Sequence, residues 1–312
     1  MQYSICIRSL GRGGEKYEKL LQSIKRLNIV PKEVIIAIPH GYSQPPVNLG
    51  YERFVYCDKG MLMQRIFSYE CADTEFVLLL DDDISFEADL VEKLYQSLLV
   101  HDADLSFPIL SELLPQGRFK TFINAVTLSA LPVKQKEYVK VLPSGGYSYR
   151  TVSDLEIEME SESAPGACIF ARRQSLLEIN LREDFWVEYP KYALRDDTIM
   201  FYKVILNHGK VIGRTDVKID HLDNAEGDNS RKATSIYALG YSQVNFWYRY
   251  IYKKEHLSTP KFVKLLWFMY WVITNCGLYL LLSIKSLNFQ FIYQFIKGIL
   301  VGYQLRNKIT KK

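Results

Sequence analysis

Three consecutive aspartates, Asp81, Asp82 and Asp83, close a run of five apolar residues that begins at Phe76 (FVLLLDDD). Side chains two apart in an extended chain point the same way, so Asp81 and Asp83 can face one site while Asp82 points elsewhere. Adjacent carboxylates repel one another and are costly to desolvate unless something positive neutralises them, and a hard divalent cation with oxygen ligands does so. Mg²⁺ typically takes one or two carboxylates and leaves its other positions to water and phosphates, which points towards a nucleotide diphosphate. The competing reading is a solvated acidic turn opening the next helix, residues 87–100, with Ser85 as its N-cap. A second acidic centre, Arg195-Asp196-Asp197, opens a helical pattern within residues 190–208. The helix dipole favours a carboxylate there, so capping accounts for one of the pair and leaves the other in surplus. Lys59 and Arg65 suit phosphates or a nucleoside, and suit ordinary surface positions equally well. His221 shares a strand face with Val217 and Ile219, where a histidine is more often structural than a ligand.

These residues need strands and helices to hold them. An apolar run without alternation fits a strand buried on both faces of a parallel α/β sheet, and ligands collect at the carboxyl ends of such strands. Tyr3 to Ile7, a glycine-rich turn over residues 9–14, a helix from about Glu15 to Asn28 and a strand from Val34 to Ile38 make a βαβ unit, whose right-handed crossover implies a parallel pair. The turn lets the backbone approach a ligand. Its spacing is not GxGxxG and no acidic residue closes the second strand, so it is not a dinucleotide fingerprint. Phe54 to Cys57 and Ala103 to Pro108 add strands, and a helix begins within residues 58–65. Leu155, Ile157 and Met159 alternate with Glu156, Glu158 and Glu160 as in a half-exposed strand. The small residues 163–168 let a substrate or a neighbouring helix approach the backbone.

With 312 residues, 48% of them hydrophobic, the chain has ample core for one large domain or two smaller ones. The net charge of +4 is unevenly split: residues 246–312 hold eleven Lys or Arg and one Glu, so +10, leaving −6 for residues 1–245. Five cysteines without CxxC spacing read as reduced, mostly buried thiols of a cytosolic compartment. The N-terminus has no basic start followed by a long apolar region, so no signal peptide is expected. Leu265 to Ile284 is twenty residues without a charge, long enough to cross a bilayer. Cations flank it on both sides: Lys253, Lys254, Lys261 and Lys264 before, and Lys285, Lys297, Arg306, Lys308, Lys311 and Lys312 after. The positive-inside rule disfavours a single crossing with such flanks. A second apolar stretch, Leu287 to Leu305, suggests two helices lying in the interface or a hairpin, with helices packed on the preceding domain as the alternative. Trp247, Trp267 and Trp271 suit the headgroup level, and the excess cations suit anionic lipid.

Residues 3–225 together resemble the family 2 glycosyltransferases of the GT-A fold. The resemblance is carried by the first strand with its Arg-containing turn, Lys59-Gly60 through Gln64-Arg65, LLLDDDISF as a DxD motif, PGACIFARR in the acceptor region, and the acidic pair of RDDTIMFYKV. It implies a GT-A, Rossmann-like α/β fold with a mixed, mainly parallel central sheet flanked by helices. The nucleotide-sugar half would be residues 1–110, the acceptor half 111–245, and 246–312 a basic helical segment associating with membrane. Asp81 and Asp83 would hold Mg²⁺ or Mn²⁺ on the donor diphosphate with His221 as a possible third ligand. Arg8, Ser9, His40, Lys59, Arg65 and Asp82 would line the donor. Asp197 would be the general base, with Asp196 as the close alternative. The acidic residue usual after the second strand is replaced by Pro39-His40-Gly41, which leaves the donor's base open. The chain has no QxxRW motif and no multi-helix pore, which argues against a processive polysaccharide synthase.

The implied activity is inverting transfer of a sugar from a nucleoside-diphosphate sugar to a hydroxyl of a glycan or lipid-linked acceptor. Its setting would be cell-envelope polysaccharide synthesis at the cytoplasmic face of the cell membrane, without a nucleic-acid partner. The other readings are a metal-dependent nucleotidyltransferase or phosphohydrolase, and a membrane-bound module that only binds cation.

Overall fold

The computed structural model describes residues 1–110, 112, 114–190, 192–222, 233–254 and 259–308. In chain order the elements begin with β1 (Tyr3–Arg8), α1 (Glu15–Lys25), β2 (Glu33–Pro39), β3 (Arg53–Cys57), α2 (Met61–Glu70), β4 (Phe76–Asp81), β5 (Ile84–Phe86), α3 (Leu90–His101) and β6 (Leu105–Pro108). They continue with α4 (Arg118–Val126), β7 (Ala130–Pro132), β8 (Val139–Val141), β9 (Tyr147–Tyr149), β10 (Glu158–Glu160), β11 (Cys168–Arg172), α5 (Arg173–Glu178) and α6 (Asp196–Leu206). Last come β12 (Val211–Arg214), β13 (Ile219–His221), α7 (Ala233–Phe246), α8 (Lys261–Ser286) and α9 (Gln290–Leu305). The chain forms two compact units. The first comprises Met1–Leu110, Leu155–Phe185 and Asp196–Asn224, and the second Ser111–Asp154, Trp186–Arg195 and Ala225–Lys312.

The first unit is built on an eight-stranded sheet in the order β10-β12-β6-β11-β4-β1-β2-β3. β1 runs parallel to β2 and β4, β2 to β3, and β6 to β12. β11 is inserted antiparallel between β4 and β6, and β10 pairs antiparallel with β12 at the edge. Phe76 to Leu80 are buried throughout because β4 has strands on both sides and helices over both faces, so its run needs no polar alternation. Tyr3, Ile5, Ile7, Leu78 and Leu80 pack with Leu20 and Ile24 of α1 and with Leu94 and Leu98 of α3. Each such fully buried side chain contributes about 1.5–3 kcal/mol relative to exposure. The four parallel strands β1 to β4 end on one edge of the sheet, at Arg8, Pro39, Cys57 and Asp81.

Several local expectations are corrected. Ser85 lies in β5 and does not cap α3, which starts at Leu90 after Asp89. The chain stays extended beyond the aspartates because Ile84 to Phe86 pair antiparallel with β13, with Ile84 opposite His221. α1 ends at Lys25, before Asn28. Residues 211–221 make two strands, β12 and β13, in different sheets. The alternation at 155–160 gives a strand of only three residues, with Met159 buried and Ile157 exposed. All five cysteines are free, as their spacing suggests.

The second unit holds a three-stranded sheet, β7-β9-β8, together with α4 and the three C-terminal helices. The described chain thus gathers residues 114–154 and 186–190 with those helices, which a cut at residue 245 separates. α7 runs into a π-helical turn, Trp247–Tyr252, whose Trp247 stacks on Phe268 with ring centroids 4.0 Å apart. α7 and α9 touch backbone to backbone: a Cβ at Gly298 would lie 2.2 Å from the Tyr237 carbonyl oxygen. α8 is long and apolar enough to cross a membrane. Lys311 and Lys312 lie outside the described residues.

Candidate active site

The carboxyl edge of the first unit's sheet gathers the acidic residues around one arginine. Arg8, the last residue of β1, stands opposite Asp81 in the parallel register. Its Nε and Nη2 donate to the two oxygens of Asp81 at 2.5 and 2.9 Å, and its Nη1 donates to Asp196 Oδ2 at 3.0 Å. Arg65 of α2 approaches the same two carboxylates, Nη1 at 3.3 Å from Asp196 and Nη2 at 3.6 Å from Asp81. Two acidic centres more than a hundred residues apart in sequence are thereby one electrostatic cluster. Ser9, the next residue along, donates its hydroxyl to Asp82 Oδ2 at 2.6 Å. Asp81, Asp83 and His221 each offer a ligand atom within 4.8 Å of the others, and the antiparallel pairing of β5 with β13 brings His221 there.

α6 supplies the second pair. Its first two residues are Asp196 and Asp197, where unpaired helix N–H groups favour negative charge. Asp197 accepts from the Gly166 N–H at 3.2 Å and from the Thr198 N–H at 2.7 Å. Gly166 is fixed by its surroundings: a Cβ there would meet both Arg65 terminal nitrogens at 2.8 Å and Asp197 Cβ at 2.9 Å. Its carbonyl also accepts from Arg65 Nη2 at 3.0 Å. Of the two expectations for the small-residue run, a substrate or a neighbouring helix, the second is met: Arg65 of α2 and Asp197 of α6 approach its backbone.

Environment sorts the carboxylates. Burial alone would raise the Asp81 carboxyl, but the charge and forked hydrogen bonds of Arg8 hold it below the ordinary value. Asp196 is likewise held low, against burial, by Arg65 and Arg8. Burial pushes Asp82 up despite the Ser9 hydrogen bond, with Asp83 and Asp81 adding repulsion. Asp197 is pushed up by burial and then by the adjacent Asp196 charge, to about 6. The pair at the start of α6 thus divides into a carboxylate locked into ion pairs and one close to neutral pH in proton affinity, the tuning a general base requires.

Five carboxylates stand against two guanidinium groups, so the cluster keeps a negative excess. The carboxylate oxygens of Asp81 and Asp83 with an imidazole nitrogen of His221 form a donor set that fits Mg²⁺ or Mn²⁺. His40 and Lys59 sit on the same sheet edge, yet their described side-chain contacts are with tyrosines: His40 stacks on Tyr56 with centroids 6.4 Å apart, and the Lys59 ammonium donates to the Tyr42 hydroxyl and lies 4.9 Å from that ring's centroid. Arg65 is only 3% exposed and acts from behind the carboxylates rather than from a surface. Sequence reasoning passed over two residues. Gln64 donates to the carbonyls of Ser9 and Ala37 at 2.8 and 3.0 Å, joining the ends of β1 and β2. Gly166 had no signal of its own beyond its place in the small-residue run and in PGACIFARR.

No family model and no curated protein matches the sequence. Among solved structures, GalNAc-T7 crystallised with UDP, GalNAc and Mn²⁺ matches over 91% of the chain with a TM-score of 0.54 at 10% identity. The chain covers 57% of that protein's length, a little over half. S. aureus TarS and its 1–349 fragment match 86% and 97% of the chain, at 13% and 12% identity and TM-scores of 0.49. At such identities the likeness is one of fold. The fold is that of the GT-A glycosyltransferases, a mixed α/β architecture with a large, mostly parallel central sheet flanked by helices.

Proposed function

We propose that the chain is a metal-dependent inverting glycosyltransferase that moves a sugar from a nucleoside-diphosphate sugar to an acceptor hydroxyl. The observation that carries the reading is the single cluster in which Arg8 and Arg65 tie Asp81, a member of a divalent-cation donor set, to Asp196, the neighbour of Asp197, whose proton affinity is raised. The GT-A fold and the UDP, GalNAc and Mn²⁺ in the GalNAc-T7 structure support it.

Asp81, Asp83 and His221 are the residues that would hold Mg²⁺ or Mn²⁺, and the bound ion would offset charge developing on the departing diphosphate. Arg8 orients Asp81 with a two-point hydrogen bond, so the carboxylate needs little reorganisation to act as a ligand. Ser9, His40, Lys59 and Asp82 are assigned to the donor, and Arg65 holds the two carboxylates from behind. Asp197 removes the proton from the attacking hydroxyl. The N–H groups of Gly166 and Thr198 fix its orientation and leave each oxygen a lone pair for that proton. Asp196, tied to Arg8 and Arg65, is the weaker candidate for base. One base without an enzyme nucleophile accords with in-line displacement and inversion at the sugar carbon, as the family 2 resemblance implies. We assign residues 1–110 to the donor, 111–245 to the acceptor and 246–312 to a membrane surface. The acceptor is then a glycan or lipid-linked hydroxyl used in envelope polysaccharide synthesis at the cytoplasmic face.

The test is incubation of the full chain with a panel of nucleotide sugars, with and without Mn²⁺ or Mg²⁺. Metal-dependent release of nucleoside diphosphate is the expected result. Release of monophosphate or pyrophosphate would identify a nucleotidyltransferase or phosphohydrolase, and absence of nucleotide-sugar binding would reduce the cluster to a cation site.

A further inference from the structure

The second unit exposes apolar stripes on helices without carboxylates, which the reading of the C-terminal helices does not fully use. α4 has nine residues and buries none of them. Phe119, Phe122 and Val126 recur at helical spacing and are 79%, 63% and 40% exposed, flanked by Arg118 and Lys120. Helices shorter than about 12–15 residues are marginal in water unless an apolar face is packed against something. Among its described contacts, α4 shows nothing that takes this stripe.

α8 displays the same pattern on a larger scale. One stripe is docked on the rest of the second unit nearly from end to end. Lys264 donates to the Lys254 carbonyl at 2.9 Å, Phe268 stacks on Trp247, Trp271 and Tyr279 meet Phe295, and the Ser283 hydroxyl accepts from Ile292 N–H at 3.2 Å. Midway, Asn275 donates to the carbonyl of Thr127, the residue that ends α4, at 3.2 Å. The opposite stripe, with Leu266, Ile273, Leu281 and Ile284, is exposed. α8 spans about 39 Å at about 1.5 Å per residue. Were it to cross a bilayer, the non-helical chain after α4 would be carried to mid-membrane depth, where exposed irregular backbone is not tolerated.

Charge selects the occupant. α4, α8 and α9 contain no Asp or Glu, while Arg118, Lys120, Lys261, Lys264, Lys285 and Lys297 lie on them. The residues of the second unit sum to +14, those of the first to −10. Aromatic and aliphatic residues with cations and no carboxylate fit an anionic lipid surface.

Resting on the membrane reading of α8 and α9, we infer that α4 is a second lipid-contacting element and that α8 lies in the interfacial plane of an anionic bilayer instead of crossing it. The test adds full-length protein to preformed vesicles of phosphatidylcholine with or without phosphatidylglycerol, followed by co-sedimentation. Wild type should partition onto the anionic vesicles, and Phe119→Asp/Phe122→Asp should weaken partitioning at least about tenfold, since each change removes an exposed ring from the lipid. Its Tm should be unchanged, because neither ring is buried. Leu266→Asp/Ile273→Asp should weaken partitioning similarly. Ser286→Cys, at the end of α8, should be labelled fully by an impermeant maleimide added outside the vesicles. Wild-type partitioning that the α4 variant leaves intact overturns the α4 assignment while the membrane reading of α8 survives. Absence of wild-type partitioning overturns both. Protection of the Ser286→Cys thiol overturns the in-plane arrangement. A dimer that the α4 variant dissociates, with vesicle binding unchanged, gives the face to a second copy and overturns the proposal.

Discussion

Arg8 donates through one guanidinium edge to both oxygens of Asp81 and through its remaining nitrogen to Asp196, so the acidic cluster is held open by a residue that itself neutralises part of it. On the proposed function, what remains for chemistry is the cation donor set and Asp197. Asp197→Asn keeps the side chain's size and one of its two accepted N–H bonds but has no basic oxygen. It should leave donor affinity within about twofold and lower kcat by about 10²–10⁴, the usual contribution of a general base. The wild-type pH profile checks the same assignment. A base whose pKa is raised to about 6 is ionised above that pH, so kcat should be flat above neutrality and fall as the pH drops through about 6. The residual activity of Asp197→Asn should lack that acid limb. Asp83→Ala should abolish metal-dependent nucleotide binding, measured by titration calorimetry with and without EDTA. Undiminished metal-dependent binding by that variant would remove Asp83 from the donor set.

Elements bring these residues together, and their legibility differed with the kind of contact that made them. β4 and α6 were readable because burial on both faces and helical period are properties of contiguous residues, and the acidic motifs sit at their ends. α3 was misplaced by three residues because β5 exists only through pairing with β13, more than a hundred residues later in the chain. The insertion of β11 antiparallel between β4 and β6 likewise left no local trace, since Cys168 to Arg172 would be equally apolar in a parallel strand. The roles of Gln64 and Gly166 belong to the same class, being set by partners from distant segments. Helix packing shows the dependence in the second unit. Gly298 lets α9 reach the α7 backbone, so Gly298→Val should force the pair apart, lowering Tm by several degrees or more in a thermal melt, since overpacking costs typically about 1–3 kcal/mol and occasionally more. Gly277→Ala is the control: it lies on the same C-terminal segment, and a Cβ there meets nothing within 4 Å.

On the scale of the whole molecule the two units interleave, each assembled from three stretches of chain. Cutting at residue 245 removes α9, on which α7 packs, and Trp247, whose indole N–H donates to the Pro143 carbonyl at 3.0 Å. The fragment 1–245 should therefore bind the dye ANS and aggregate, as read by fluorescence and light scattering, although it retains every residue of the candidate site. A fragment that stays monomeric and dye-silent would show that the earlier stretches of the second unit do not need α8 and α9 to fold. The late arrival of β11 also has a consequence for how the polypeptide is made. About 90 residues separate the end of β4 from the start of β11, roughly 5–18 s of synthesis at about 5–20 residues per second. For that interval the most hydrophobic strand in the nascent chain offers an unpaired edge, the feature from which misassembly starts. Slowed growth or added chaperone should accordingly raise soluble yield, with the nascent edge, rather than the finished protein, as the weak point.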